Sequence, residues 1–484
     1  MIMVLTGAGG TGKSALIAAI TKLAHLTYGK TEGSWGCILK TAPTGCAAFN
    51  IRGSTWQSAL GKTSLARLTL KAPLAAAQAV GLQRKAKGLK LFVLDEMSLS
   101  SLEDVYEIDR RLRAAMEVDK PFGGLHVILA GDFYQMKAMG GTPIVQSHIP
   151  VTNLEATQAR RMMTDSVTDY VELVVNCRAM SNNGILSPLA KFCSVARVGE
   201  PTVRMLAEIN QKVVNNVRQA MQKAHSNAVW ITSTHKKVGE INQCYSKVMV
   251  EKGGVVRRIV ADHLTSDKEP KPTTDIRRAL YGKAGDPKGA RNTLMMTHLD
   301  LLEGTRVRLI RNLSVENGLY NGAMGTIRGF MYKGNGPQTA TDYMPTNFST
   351  LTEEQREIPI VLVQMDGDDD SIASCSTTIP RLVPFGGFAG TAIDHKYHRV
   401  QLPFLPAHAR TGHSVQGMTA HDGVVVDCGS SFFAGDYVAI SRATDMDKVI
   451  LLSPSLPQYW NIHPDYRLMV QKEYERLRAQ FAKT

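Results

Sequence analysis

The stretch GAGGTGKS at residues 7–14 constrains this chain more than any other part of the sequence. It has the spacing of a phosphate loop, in which a Gly, four further residues and Gly-Lys-Ser stand between a strand and a helix. An apolar run at residues 2–5 precedes it and an alanine-rich helical pattern at residues 15–24 follows it. Because the required context is present, we expect a nucleoside triphosphate to bind here.

The residue types of this loop explain the prediction. Its glycines let the backbone curl, so that successive N–H groups and the start of the next helix can hold phosphate oxygens. We expect Lys13 to reach the β- and γ-phosphates and Ser14 to ligate Mg²⁺. The predicted nucleotide-binding residues are Gly7, Gly9, Gly10, Thr11, Gly12, Lys13 and Ser14. The alternative is an ordinary glycine-rich turn between a strand and a helix.

Two later strands end in polar residues that suit the same chemistry. An apolar strand at residues 91–94 is followed by Asp95, which could hold Mg²⁺, and Glu96, which could take the proton from the attacking water. The strand at residues 126–130 is followed by another carboxylate and by Gln135, which could sense the γ-phosphate or orient water. A polar turn is the alternative for Gln135. Between these strands, Ser101 and Asp104 are spaced to cap a helix.

Composition limits the class of protein. The net charge of +13 favours a polyanionic partner, either nucleic acid or an acidic membrane surface. Seven Cys without C-x-x-C spacing indicate reduced thiols in an intracellular protein. No apolar run reaches the roughly 18 residues of a membrane helix. We therefore expect a soluble protein of the nucleus or cytoplasm that does not enter a membrane, with a mitochondrial location left open.

The pattern of elements predicts more than one domain. Alternating strands and helices to about residue 150 indicate a doubly wound parallel sheet with ligands at the carboxyl ends of its strands. Residues 305–330 read as part of a small antiparallel barrel, and residues 423–452 as a second parallel α/β unit. Arg178 is a candidate finger for the transferred phosphate, although a surface salt bridge is the alternative.

Taken together, these stretches resemble a superfamily-one DNA helicase of the PIF type, a group that also resembles RecD and Dda. Eight segments occur in the order of that family and span nearly the whole chain. They are GAGGTGKS (motif I), residues 41–59 (motif Ia), LDEMS at 94–98 (motif II), AGDFYQM at 130–136 (motif III), Asn-Cys-Arg at 176–178 (motif IV), residues 308–330 around the inserted barrel, GHSVQGMT at 412–419 (motif V) and YVAISR at 437–442 (motif VI).

The resemblance implies two RecA-like parallel-sheet P-loop domains with a small inserted antiparallel β barrel. We expect a first domain at residues 1–165, the start of the second with an irregular insertion at 166–300, the barrel region at 301–400, and the rest of the second domain at 401–484. The catalytic residues that it implies are Lys13, Asp95, Glu96, Gln135, Arg178 and Arg442, with Ser14 and Asp95 on Mg²⁺. The nucleic-acid-binding residues that it implies are Thr44, Gly45, Thr55, Gln57, His413, Ser414 and Gln416.

The implied function is an ATP-dependent DNA helicase that moves 5′ to 3′ on single-stranded DNA, acts at duplex junctions and works as a monomer. An RNA helicase or nucleic-acid-stimulated ATPase of the same superfamily is one alternative. A degenerate DNA-binding remnant of a mobile element is another.

Only six residues precede the phosphate loop, so the family's adenine-reading glutamine motif is missing and we expect a truncated chain. Three positions depart from the family's pattern. Gln57 stands where the family usually has His, and Lys137-Ala138 stands where it usually has a pair of Pro residues. Motif V reads HSVQG where HKSQG is common.

Overall fold

The computed structural model describes residues 1–29, 31–62, 74–138, 140–145, 151, 153–177, 186–265, 298–315, 317–332, 358–367, 372, 374–392, 397–429, 434–460 and 464–482. The chain forms two compact units, one made of Met1–Lys237 with Arg410–Thr484 and one made of Val238–Ala409. The first unit therefore joins two distant parts of the sequence, and the second is inserted between them.

The strands are β1 Ile2–Gly7, β2 Ile38–Ala42, β3 Ser54–Thr55, β4 Leu91–Leu94, β5 His126–Gly131, β6 Asp169–Leu173, β7 Val229–Thr232, β8 Arg257–Val260, β9 Asp262–Thr265, β10 His298–Leu301, β11 Arg306–Leu309, β12 Met324–Met331, β13 Ile360–Met365, β14 Leu382–Phe385, β15 Phe388–Ala392, β16 Tyr397–Gln401, β17 Phe404–Pro406, β18 Ala409–Thr411, β19 Val424–Val426 and β20 Val449–Leu451.

The helices are α1 Lys13–Tyr28, α2 Gly45–Asn50, α3 Trp56–Ala59, α4 Ala76–Ala86, α5 Leu102–Met116, α6 Leu154–Ser166, α7 Pro188–Arg197, α8 Val203–Asn210, α9 Val217–Lys223, α10 His235–Glu251, α11 Gly435–Ile440, α12 Pro457–Trp460 and α13 Pro464–Phe481. Within the described ranges, none of these helices combines the length and apolar composition needed to cross a bilayer.

The first sheet is parallel and has the strand order β3-β2-β4-β5-β1-β6. Strand β4 is buried along its whole length, as expected where helices cover both faces of a parallel sheet. Strand β6 pairs with β1 over five residues. The sheet therefore continues past residue 165, the predicted end of the first domain.

Helix α5 shows how local sequence fixes an element of this domain. The Ser101 hydroxyl accepts the Asp104 N–H at 3.1 Å, and the Asp104 carboxylate accepts the Ser101 N–H at 3.1 Å. This is the predicted capping box, which satisfies two N–H groups at the helix start. The buried face of the helix carries Leu102, Val105 and Ile108, at the spacing of an amphipathic helix.

The second sheet of the same unit has the order β18-β7-β19-β20, and β19 is parallel to both of its neighbours β7 and β20. Leu189 and Phe192 of α7 share one apolar cluster with Ile231 of β7, Val426 of β19 and Val438 of α11. Strand β7 lies at residues 229–232 and strands β19 and β20 within 424–451, so this sheet forms only when two segments about 200 residues apart meet. The predicted pair of parallel α/β sheets is confirmed.

The C-terminal helix α13 completes the core of the first sheet. Its buried residues Tyr466, Val470, Tyr474 and Leu477 belong to the same apolar cluster as Val127 and Leu129 of β5. The last helix in the sequence therefore packs beneath strands from the first third of the chain.

The inserted unit consists of antiparallel sheets, as predicted. Strands β14-β13-β12-β11-β17 form one, β15-β16-β9 form another, and β8 pairs with β10. Strands β8 and β9 precede residue 301, where the sequence analysis began the barrel region. Of residues 166–300, where an irregular insertion was predicted, 178–185 and 266–297 lie outside the described residues.

Candidate functional site

The phosphate loop joins β1 to α1 and has the backbone shape that its glycines permit. Gly10 and Gly12 have φ values of 88° and 93°, which non-glycine residues rarely adopt. Gly12 is the N-cap of α1, and no side chain caps that helix. The first N–H groups of an α-helix lack partners within the helix, so this start is suited to an anion such as phosphate.

Lys13 folds back onto the loop. Its Nζ donates to the carbonyl oxygen of Gly7 at 2.6 Å and to that of Ala8 at 3.1 Å. Burial lowers the pKa of Lys13, and the carboxylates of Asp132, Glu96 and Asp95 oppose that effect. The ammonium group therefore stands among backbone carbonyls and carboxylates, where a polyphosphate can replace the carbonyls as its partner.

Asp95 and Glu96 directly follow β4, as the sequence predicted. Asp95 is 5% exposed, its N–H donates to the Thr41 carbonyl at 2.9 Å, and its Oδ1 accepts the Glu96 N–H at 2.9 Å. Glu96 has a φ of 51°, a left-handed conformation that is uncommon outside Gly and often occurs at functional sites.

The electrostatics of Asp95 fit a divalent cation. Burial and the negative charge of Glu96 raise the pKa of the Asp95 carboxyl to about 7, while Lys13 opposes the shift. A bound cation would stabilise the ionised form and offset the cost of burying it. Ser14, in the first turn of α1, follows β1 at the same edge of the sheet and is the second predicted ligand.

Gln135 follows β5, which lies between β4 and β1 in the sheet. Its side chain is 2% exposed, and its Oε1 has no hydrogen-bond partner among the described residues. Buried side-chain oxygens are normally hydrogen-bonded, so this atom is suited to a water molecule or ligand that enters the site. The predicted position of Gln135 at the edge that carries Asp95 and Lys13 agrees with the structure.

A buried network that the sequence did not predict lies beside Gln135. The guanidinium of Arg197, at the end of α7, donates to the Asp132 carboxylate at 2.9 to 3.2 Å. The Tyr474 hydroxyl of α13 donates to Asp132 at 3.1 Å and accepts from Arg197 at 2.9 Å. The backbone N–H of Gln135 donates to the Asp132 carbonyl at 3.0 Å. The only sequence signal was a carboxylate at the sheet edge.

The structure describes one of the two predicted arginine fingers, Arg442, and not the other, Arg178. Arg178 lies outside the described residues, but Cys177, just before it, donates its N–H to the Gly10 carbonyl of the phosphate loop at 2.9 Å. Arg442 is 2% exposed, and its guanidinium donates to the Val438 carbonyl, the Met418 carbonyl and the Ser441 hydroxyl. Those three partners lie, like Arg442, in the segment Arg410–Thr484 of the first unit. A contact between Arg442 and the phosphate of a nucleotide therefore stays a prediction.

The predicted nucleic-acid residues of the first sheet lie at or just after the carboxyl ends of its neighbouring strands β2 and β3. Thr44 caps α2 by accepting the Ala47 N–H at 3.3 Å. Thr55 caps α3 by accepting the Ser58 N–H, also at 3.3 Å. Gly45 is buried at the start of α2, and Gln57 is half-buried on α3. Two strands, β4 and β5, separate this pair from β1 and its phosphate loop.

The predicted residues of the second sheet lie on a 3-10 turn, Gly412–Val415. The Ser414 hydroxyl donates to the Thr411 carbonyl at 2.7 Å. Burial, with the charge of His235, lowers the pKa of His413, so its ring is neutral near pH 7. Gln416 differs from the expectation of a DNA-facing side chain, because it is 2% exposed and donates to the Glu96 carboxylate at 3.2 Å.

Comparison with known proteins finds proteins that are similar to this chain. The family model of the PIF1-like helicases matches residues 1–190. The ATP-dependent DNA helicase PIF7 of Trypanosoma brucei brucei is 27% identical over 478 residues, covering 92% of this chain and 44% of that protein. Human ATP-dependent DNA helicase PIF1 is 28% identical over 460 residues, covering 92% of this chain and 57% of the human protein. The chain thus spans about half the length of these curated relatives.

Solved structures share the fold. The Pif1 helicase from Candida albicans matches with a TM-score of 0.68 at 20% identity, covering 99% of this chain and 96% of that one. Bacteroides Pif1 bound to single-stranded DNA matches with a TM-score of 0.61 at 21% identity, covering 99% and 93% of the two chains. The family match over residues 1–190, the curated relatives and this shared fold make the chain similar to the PIF1-like helicases.

Proposed function

We propose that this chain is an ATP-dependent DNA helicase that moves along single-stranded DNA, 5′ to 3′, and couples ATP hydrolysis to unwinding at duplex junctions. The observation that carries the proposal is the grouping of Lys13, Asp95, Glu96 and Gln135 at the carboxyl ends of three adjacent strands. The names of the curated relatives, which are ATP-dependent DNA helicases, support it.

In the proposed reaction the chain's own residues bind and orient the reactants. Lys13 exchanges the carbonyls of Gly7 and Ala8 for phosphate oxygens. Glu96 accepts the proton of the attacking water, and the free Oε1 of Gln135 orients that water. Arg178 and Arg442 meet the charge that develops on the phosphate, a contribution of about 10³ to 10⁵ in rate where an arginine finger acts.

Mg²⁺ is part of this proposal. Ser14 and Asp95 would hold it, because a hydroxyl and a buried carboxylate with a raised pKa are suitable hard-oxygen ligands. When bound, the ion neutralises charge on the phosphate oxygens.

The proposed motion uses the two sets of DNA residues in the first unit. Thr44, Gly45, Thr55 and Gln57 would hold one part of the strand, and His413 with Ser414 the next. If nucleotide binding draws the two sheets together and hydrolysis releases them, alternating grip moves the protein in one direction.

The test of the nucleotide site compares two lysines of α1. Lys13→Ala should abolish DNA-stimulated ATP hydrolysis while DNA binding is retained. Lys22→Ala, which removes an exposed lysine two turns further on, should leave both unchanged. Retained turnover in Lys13→Ala would contradict the assignment.

Strand displacement tests the rest of the proposal. We expect ATP-dependent unwinding of duplexes with a 5′ tail and none with a 3′ tail. Greater stimulation of ATPase by RNA than by a matched DNA oligomer would favour the RNA helicase alternative. Binding without ATPase would favour the mobile-element remnant. A rate per protein that does not change with protein concentration would support action as a monomer.

A further inference from the structure

Motif V contacts the first sheet at two points. Gln416 Nε2 donates to Glu96 Oε2 at 3.2 Å, across 320 residues of sequence. Asn50 Nδ2, at the end of α2, donates to the Gly417 carbonyl at 2.9 Å. Gln416 therefore binds Glu96, the expected general base. Its neighbour Gly417 binds α2, the helix that begins after the expected DNA residue Thr44.

The approach of this segment to Glu96 is close. Gly417 has a φ of 85°, and a Cβ added to it would lie 3.6 Å from Glu96 Oε1 and 3.4 Å from Asn50 Nδ2. Gln416 Oε1 is buried and has no hydrogen-bond partner in the part of the chain that the structure describes. The nitrogen of the Gln416 amide therefore binds Glu96, while the described residues offer its oxygen no donor.

Gln416 lies next to the predicted DNA contacts in the chain. Gln416 is the C-cap of the 3-10 turn that carries His413 and Ser414. The turn is four residues long, and a phosphate that took over the Ser414 hydroxyl would break its hydrogen bond to the Thr411 carbonyl, next to the Gln416 cap.

We propose that Gln416 is a positioning residue that restrains Glu96 until nucleic acid binds to His413 and Ser414. A hydrogen bond donated to Glu96 occupies a lone pair of the carboxylate that must accept the proton of water, and it fixes the orientation of that carboxylate. Displacement of the turn releases the carboxylate. This inference rests on the proposed function and adds to it a route by which DNA stimulates hydrolysis.

The experiment measures ATP hydrolysis by the full chain with and without saturating oligo-dT. Gln416→Ala should raise the rate without DNA by about fivefold, the factor that corresponds to one hydrogen bond, and leave the DNA-saturated rate within about twofold. The ratio of stimulated to unstimulated rate should fall accordingly. Gln416→Asn, which keeps the amide but is one methylene shorter, should behave in the same way.

The matched control is Asn50→Ala, which removes the neighbouring bond to Gly417 and leaves the Gln416–Glu96 contact in place. Its unstimulated rate should stay near that of the wild type. An equal rise in Asn50→Ala would overturn the role of Gln416, because loosening of the segment would then suffice. An unchanged ratio, or an equal fall of both rates, in both Gln416 variants would also overturn it. A wild-type chain whose ATPase is not stimulated by DNA would instead contradict the proposed function.

Discussion

Arg197 and Asp132 form a buried ion pair between α7 and the end of β5. Arg197 Nε lies 3.2 and 3.1 Å from the two oxygens of Asp132, and Nη2 lies 2.9 Å from the first. Burial alone would raise the pKa of the Asp132 carboxyl, but the charge and hydrogen bonds of Arg197 hold it below its usual value. The guanidinium also lies 4.7 Å from the Tyr134 ring centroid. The pair fixes the backbone that carries Gln135.

Removal of the arginine alone should strongly destabilise the protein. Arg197→Met leaves Asp132 charged and buried without its cationic partner, and we expect a loss of about 3 to 5 kcal/mol in the free energy of unfolding. Urea denaturation measures it. Arg204→Ala breaks an exposed pair with Glu208, whose side chains are 90% and 59% exposed, and should cost less than about 1 kcal/mol. Equal costs in the two variants would contradict the importance of the buried pair.

The C-terminal helix should contribute to the stability of the first sheet. Leu477 is 1% exposed in the core of that sheet, so Leu477→Ala leaves a cavity and should cost about 2 to 5 kcal/mol. Leu468 of the same helix is 49% exposed, and Leu468→Ala should change stability by less than about 0.5 kcal/mol. Thermal and urea unfolding of both variants test the pair. A small effect of Leu477→Ala would indicate that α13 does not stabilise the first sheet.

Asp95 should make stability depend on pH in the chain without metal or nucleotide. Its pKa is raised to about 7, so between its ordinary value near 3.8 and pH 7 the folded state retains a proton that the unfolded chain has lost. The wild type therefore loses stability as pH rises through this window, by at most about 1.4 kcal/mol per pH unit from this group. Asp95→Asn removes that loss.

The measurement is urea denaturation of wild type and Asp95→Asn at pH 5, 6, 7 and 8 in the presence of EDTA. The stability gained by the variant should grow from pH 5 to 7 and level off above about pH 7. A gain that is the same at every pH would contradict the raised pKa.

Gln135 should support ATP hydrolysis at some cost to the stability of the folded chain. Gln135→Leu removes a buried oxygen that no described residue hydrogen-bonds, so the free energy of unfolding should be unchanged or rise by about 1 kcal/mol. ATP turnover should fall by about 10²-fold, the usual effect of losing one group that positions the reacting atoms. Parallel unfolding and ATPase assays test both parts. A variant that is much less stable would indicate that Gln135 serves packing instead.

The sequence by itself determined the local elements. The phosphate loop, the capping box of α5 and the strand before Asp95 depend on backbone conformations and spacings that a few neighbouring residues fix, and the resemblance in motif order supplied the fold.

Only the tertiary structure decided the partners of the functional side chains. It pairs Asp132 with Arg197, 65 residues away, and with Tyr474, 342 residues away, and it joins Gln416 to Glu96 across 320 residues. It also raises the pKa of Asp95 by burial. Such contacts follow from how helices and sheets from distant parts of the chain pack together, and hydrophobic periodicity carries no information on which polar groups that packing brings within hydrogen-bond distance.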